Sequence, residues 1–295
     1  MKATRKILSI ILVLAITAAF STVAFAEDAK SIKFLNDFID SKAIGVELDD
    51  SAFSGFGISV TGVTAKAKFE GENKTKVAAT ANIGPLSNVK IIGSGSELNG
   101  YFAIFKINIK EIIGGSFSID EVANQFYPLL DKLDKETVSL LEVKETKNVT
   151  LNNYGTVQAE VLTVSPDKIA AKIKEEAVKQ GKEGEISGSD ITALVALAEE
   201  LNIEDLNYYI ALYKVSQSAD GLATFYYSNG NLVGVKINLV DKDTLAEQSI
   251  DTTQAINLKV KSITAGASDS DFAEPSFSFD ITGIVKFIFG LFFKA

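Results

Sequence analysis

The chain has 295 residues, 29 basic and 38 acidic side chains, a formal charge of −9, and no histidine, cysteine or tryptophan. Those absences exclude a Ser-His-Asp triad, a thiol nucleophile, a disulfide framework and ordinary zinc or copper sites. With Arg5 as the single arginine, nucleic acid is a poor partner. No cofactor and no metal is expected, and what stays open is carboxylate, Ser/Lys, Tyr or Ca²⁺ chemistry, or binding without catalysis.

Residues 1–26 read as a secretory leader, with Lys2, Arg5 and Lys6 before an apolar run over 7–20 and Ala24-Phe25-Ala26 as the small-x-small cleavage site. The mature chain is expected to begin at Glu27, with 26 lysines against 38 acids and a charge of −12. A helix is predicted over 31–43 from the spacing of Ile32, Leu35, Phe38 and Ile39, ended by Gly45. From 56 to 110 the period becomes two: Val63, Ala65, Ala67 and Phe69 alternate with Thr64, Lys66, Lys68 and Glu70, and Tyr101, Ala103, Phe105, Ile107 and Ile109 follow. Turn signals at 71–73, 84–85 and 93–95 divide this stretch into about four strands.

Ser118 to Glu121 has capping-box spacing and predicts a helix through Val122, Phe126, Leu129, Leu130 and Leu133, kinked at Pro128. Strands over 138–150 and 154–164 follow, turning at Asn152-Asn153. Ser165-Pro166 then opens a helix through Ile169, Ile173 and Ala177. After a glycine-rich break at 181–188, Ser189 can cap a helix bearing Ile191, Leu194, Val195, Ala198 and Leu201. A strand is predicted near 208–216, a hairpin over 222–240 with Asn229-Gly230 in a type I′ turn, and a last strand over 256–263. The economical reading is one α+β domain over 27–275 followed by an apolar amphipathic tail over 276–295.

The segment 148–180, NVTLNNYGTVQAEVLTVSPDKIAAKIKEEAVKQ, looks like a turn, strand and capped-helix unit of exported Gram-positive proteins. ATFYYSNGNLVGVKINL and ASDSDFAEPSFSF resemble closing strands of the LolA/LolB and LppX-like lipoprotein-carrier superfamily. That resemblance implies a curved antiparallel sheet, a half-barrel covered by helices, with an apolar cavity that holds acyl chains. The arginine tied to lipoprotein handling in that family has no counterpart in the mature chain, and the lipobox cysteine is absent. Candidates to line a cavity are Phe102, Phe105, Tyr208, Tyr213, Phe225 and Tyr227; ordinary core packing is the competing reading of the tyrosine-rich set.

The tail 281–293, ITGIVKFIFGLFF, is too short to span a bilayer, which takes about 20 residues. On a helical wheel Thr282, Gly283, Lys286, Gly290 and Lys294 share a narrow sector, with apolar residues around the rest. Candidate membrane contacts are Ile284, Lys286, Phe287, Ile288, Phe289, Leu291, Phe292 and Phe293. The alternatives are a helix that completes its own core and a partner-binding helix. Carboxylate neighbours at Asp49-Asp50, Glu175-Glu176, Glu199-Glu200, Asp241/Asp243 and Asp269/Asp271 read as solvated surface before they read as a glycosidase pair or a Ca²⁺ site. The leading expectation is an exported, non-enzymatic protein that binds a lipid or other apolar ligand, or a membrane surface, on the outer face of the cell membrane. A cell-envelope structural or interaction module and a carboxylate-dependent glycan hydrolase are the alternatives.

Overall fold

The computed structural model describes residues 29–53, 59–113, 118–124, 134–181, 191–200, 206–240, 245–255 and 259–292. These residues form an α+β protein with two open sheets. The first contains β1 (Ala43–Leu48), β2 (Val60–Phe69), β3 (Thr75–Ile83), β4 (Leu86–Ser94), β5 (Glu97–Phe102), β6 (Phe105–Asn108), β12 (Val260–Ala265) and β13 (Phe279–Asp280), in the order β12-β1-β2-β3-β4-β5-β6-β13. It is mixed, because β13 runs parallel to β6. The second contains β7 (Leu141–Leu151), β8 (Gly155–Val164), β9 (Ala223–Ser228), β10 (Asn231–Val240) and β11 (Glu247–Asp251), antiparallel in the order β11-β10-β9-β8-β7. The helices are α1 (Lys30–Ser41), α2 (Ile109–Ile113), α3 (Ile119–Ala123), α4 (Lys135–Ser139), α5 (Pro166–Lys179), α6 (Ile191–Glu200), α7 (Asn207–Ser216), α8 (Thr252–Ala255) and α9 (Thr282–Phe292).

Strand β2 shows how the pattern makes the layers. Val63, Ala65, Ala67 and Phe69 are buried, while Thr64, Lys66 and Lys68 on the opposite parity are half-exposed or exposed. The buried side joins a core shared by both sheets and by the apolar stripes of α1, α5, α6 and α7. Leu35, Phe38, Ile44, Leu162, Ile169 and Phe225 are fully enclosed there. Phe34 of α1 meets Phe225 of β9 edge-on at 6.3 Å, which fills the space between that helix and the second sheet. At the seam between the sheets β12 lies beside β10. There Val260 N–H donates to the Tyr154 hydroxyl at 2.6 Å, so a side chain satisfies an amide of β12.

Several local expectations change. Gly45 does not end the first helix; Lys42, at φ 48, does, and its N–H reaches Phe38 O at 2.6 Å. Gly45 lies inside β1 opposite Thr264, where an added Cβ would come within 2.9 Å of Thr264 Oγ1. The 56–110 stretch holds five strands, because β5 and β6 turn at Ala103-Ile104 with Ala103 at φ 51 and no glycine or proline to mark it. Residues 208–216 form helix α7 instead of a strand. Tyr208, Leu212 and Ser216 lie at i, i+4 spacing and are buried, and that packing overrides the strand preference of Tyr-Tyr-Ile. In place of one curved antiparallel sheet there are two sheets, with helices between β6 and β7. Ser165 starts α5 without a side-chain cap bond, whereas Ser118 Oγ accepts from Glu121 N–H at 3.3 Å. The hairpin holds: Asn229 and Gly230 both have positive φ, 51° and 82°, as a type I′ turn requires. The leader, Ser189, Leu201, residues 125–133 and residues 256–258 lie outside the described residues.

Candidate functional site

After β12 the chain turns at Gly266, φ 96, whose N–H donates to Ala43 O at 2.8 Å. Residues 266–281 then cross the outer face of the eight-stranded sheet to its far edge. Lysines on the alternate strands β2, β4 and β6 meet this segment. Lys68 pairs with Asp269 at 2.6 Å and Lys66 with Asp271 at 2.8 Å, both from β2. From β4, Lys90 Nζ donates to Ala273 O at 2.9 Å, and from β6, Lys106 approaches Glu274 at 3.5 Å. Lys68 holds the Asp269 carboxyl below the ordinary 3.8. Burial pushes Asp271 up, yet Lys66 and the Ser268 N–H outweigh it and leave Asp271 lowered as well.

Beneath this segment lies a patch that alternation alone would leave wet. Ala78, Ile92, Asn99 and Tyr101 are buried although their strand neighbours Val77, Ala79 and Leu98 are the ones that face the core. The register puts Ala78 beside Ile92, Ile92 beside Asn99, and Lys90 beside Tyr101. Phe272, itself buried, sits in the short 3₁₀ turn Asp269–Phe272, which packs on β3. Burial, with Glu274 nearby, pushes the Tyr101 phenol far up, and Lys106 Nζ lies 5.8 Å from its ring centroid.

At the far edge Phe279 N–H donates to Ile104 O at 2.8 Å and Ile281 N–H to Lys106 O at 2.9 Å, which docks β13 on β6. Helix α9 begins there. Asp280 caps it by accepting from Thr282 N–H at 2.8 Å, and Thr282 Oγ1 accepts from Asn108 N–H at 2.7 Å. One turn on, Lys286 pairs with Glu111 of α2 at 3.2 Å. The helix therefore turns polar Thr282 and Lys286 toward the body. Ile284 and Phe287 face water, 61% and 69% exposed. Phe277 and Phe279, in edge contact at 4.9 Å, are also exposed, as is Ile104 beside them.

Of the expected membrane contacts, Ile284, Lys286 and Phe287 are placed on this surface. Ile288, Phe289, Leu291 and Phe292 belong to the helix, but their side chains and Phe293 lie outside the described residues. Sequence reasoning missed Phe277, Phe279 and Ile104; the Phe-x-Phe alternation after Pro275 was the available signal. The cavity candidates divide. Tyr208, Phe225 and Tyr227 enter the shared core and Tyr213 packs partly buried against it. Phe102 and Phe105 stack at 5.5 Å across the β5–β6 turn, outside that core. Members of the acid pairs meet lysines, Glu175 and Glu176 meeting Lys179, Glu199 meeting Lys214, Asp49 meeting Lys259, and Asp269 and Asp271 as above, while Asp50 accepts from Gly62 N–H at 2.8 Å. Asp241 and Asp243 lie outside the described residues. Comparison with protein-family models, with curated proteins and with solved structures finds no match for this chain.

Proposed function

We propose that this is an exported, non-enzymatic protein that attaches to a membrane surface through α9 and the neighbouring Phe277 and Phe279. The inverted orientation of α9 carries the reading. A helix that completes a core turns its apolar stripe inward, whereas this one bonds Thr282 and Lys286 to the body and leaves Ile284 and Phe287 in water. Among the described residues no helix is long and apolar enough to cross a membrane, and α9 sets Thr282 and Lys286 on one sector against the exposed Ile284 and Phe287 on another. Binding of this kind needs neither His nor Cys, which the chain lacks.

Flotation of residues 27–295 with phosphatidylcholine vesicles tests this. The protein should float, and Ile284→Ser/Phe287→Ser should reduce the bound fraction at least tenfold with the melting temperature nearly unchanged, because both residues are exposed. If the tail instead completes the fold of an envelope module, the double substitution lowers the melting temperature sharply in lipid-free buffer and the wild-type protein does not float.

A further inference from the structure

We infer that residues 266–292 form a releasable arm, which lifts from the outer face of the eight-stranded sheet while the two-sheet body stays folded. The manner of its attachment supports this. Its ion pairs have water beside them, Asp269 being 81% exposed, Glu274 49% and Lys66 34%, and the further polar contacts are the Lys90 bonds to Ser270 O and Ala273 O and the Asn108 N–H bond to Thr282 Oγ1. Beyond the bond from Gly266 N–H to Ala43 O at its root, its backbone pairing is the two-residue strand β13, whereas β2 and β3 pair from Val60↔Ile83 to Phe69↔Thr75. Phe272, buried in the 3₁₀ turn that packs on β3, belongs to neither core cluster, and neither do Ala78, Ile92 and Tyr101 on the outer face of the sheet, so lifting the turn opens no gap in those clusters.

A hinge stands at the start of this segment. Gly266 has φ 96 and nothing within 4 Å of where its Cβ would be, and its N–H, bonded to Ala43 O at 2.8 Å, fixes the body side of the hinge. Once lifted, residues 266–281 span up to about 50 Å when extended. On the membrane reading above, on which this consequence rests, α9 could stay in the lipid surface while the body stands clear of it. The lifted state also bares a groove across β2 to β6 with an apolar floor and four lysines, Lys66, Lys68, Lys90 and Lys106.

The absence of tryptophan and cysteine makes the test clean. In the full mature chain, Phe272→Trp supplies a single fluorophore under the arm. Its emission is followed in urea alongside the far-UV circular dichroism of the body. The red shift should come at a lower urea concentration than the loss of ellipticity, and Asp269→Asn/Asp271→Asn in the same background should move only the fluorescence midpoint downward. Coincident transitions, or a joint shift of both, would overturn the arm. Thiol labelling provides a second reading that leaves Phe272 intact. Ile92→Cys, under the arm, should react at least tenfold faster in native buffer than Ala65→Cys on the core face of β2, and equal rates would count against release. Neither measurement contains lipid, so the arm and the membrane reading stand or fall separately.

Discussion

Glu160 lies where the first helix meets the second sheet, and its carboxylate accepts from Ser31 N–H at 3.3 Å and Ser31 Oγ at 2.8 Å. A carboxylate in the first turn of a helix satisfies amides that have no partner within the helix and complements the positive end of its dipole. Glu160 is buried, and burial together with its charge pushes the neighbouring Tyr227 phenol far above its ordinary value. Glu160→Ala should cost about 1–3 kcal/mol in urea unfolding, the range for stranding a buried hydrogen-bonded polar group. A change within error would remove the bond from the account of how α1 is seated. Two glycines at positive φ give a sharper comparison. Gly221 (φ 64) would place an added Cβ 2.2 Å from Leu162 O, a backbone atom, while Gly155 (φ 68) has open space around it. Gly155→Ala should cost about 1–2 kcal/mol for the left-handed backbone alone, whereas Gly221→Ala should exceed that clearly because β8 would have to move. Equal losses would show that the β8 contact is softer than the geometry describes.

At the scale of elements, the arm has a definite pH dependence. Asp269 faces Lys68 and, further off, Lys76; Asp271 faces Lys66 and the Ser268 amide. Both carboxyls are lowered in the folded protein from an ordinary 3.8. A depressed carboxyl contributes its stabilisation above the unfolded value and loses it as pH falls through the folded one. The urea midpoint of the Phe272→Trp signal should therefore be flat in this respect from pH 8 to about 5 and fall below about 4. A midpoint that rises on acidification would contradict the ion pairs. How far such elements could be read in advance depended on whether their cause is local. The alternation of β2, the Asn229-Gly230 turn and the α1 stripe are written in adjacent residues and were legible. Strand β1 was not, because Gly45 is explained only by Thr264 across the sheet. The helix at Tyr208–Ser216 was missed because Tyr and Ile suit either state until α7 packs on β8 and β10. At the tail, the bonds from Asn108 and Glu111 to Thr282 and Lys286 join residues about 175 positions apart in the chain, and no local pattern reveals them.

For the molecule as a whole, charge and apolar surface oppose each other at a membrane. Residues 27–295 carry 26 lysines and 38 acids, an excess of negative charge that anionic lipid repels, and the lysines of the tail relieve this only locally. Attachment through Ile284, Phe287 and the adjacent phenylalanines should accordingly survive high salt. Flotation on phosphatidylcholine should be retained at 1 M NaCl, where the screening length is about 3 Å; loss of binding there would point to an electrostatic contact instead. The most direct measurement places a tryptophan at the centre of the exposed face. Phe287→Trp in residues 27–295 introduces the only indole in the chain at a position 69% exposed. On adding phosphatidylcholine vesicles with brominated acyl chains, its emission should shift to the blue and be quenched. Emission that stays at the water-exposed wavelength and unquenched, with the protein otherwise folded, would contradict the membrane-facing role of α9.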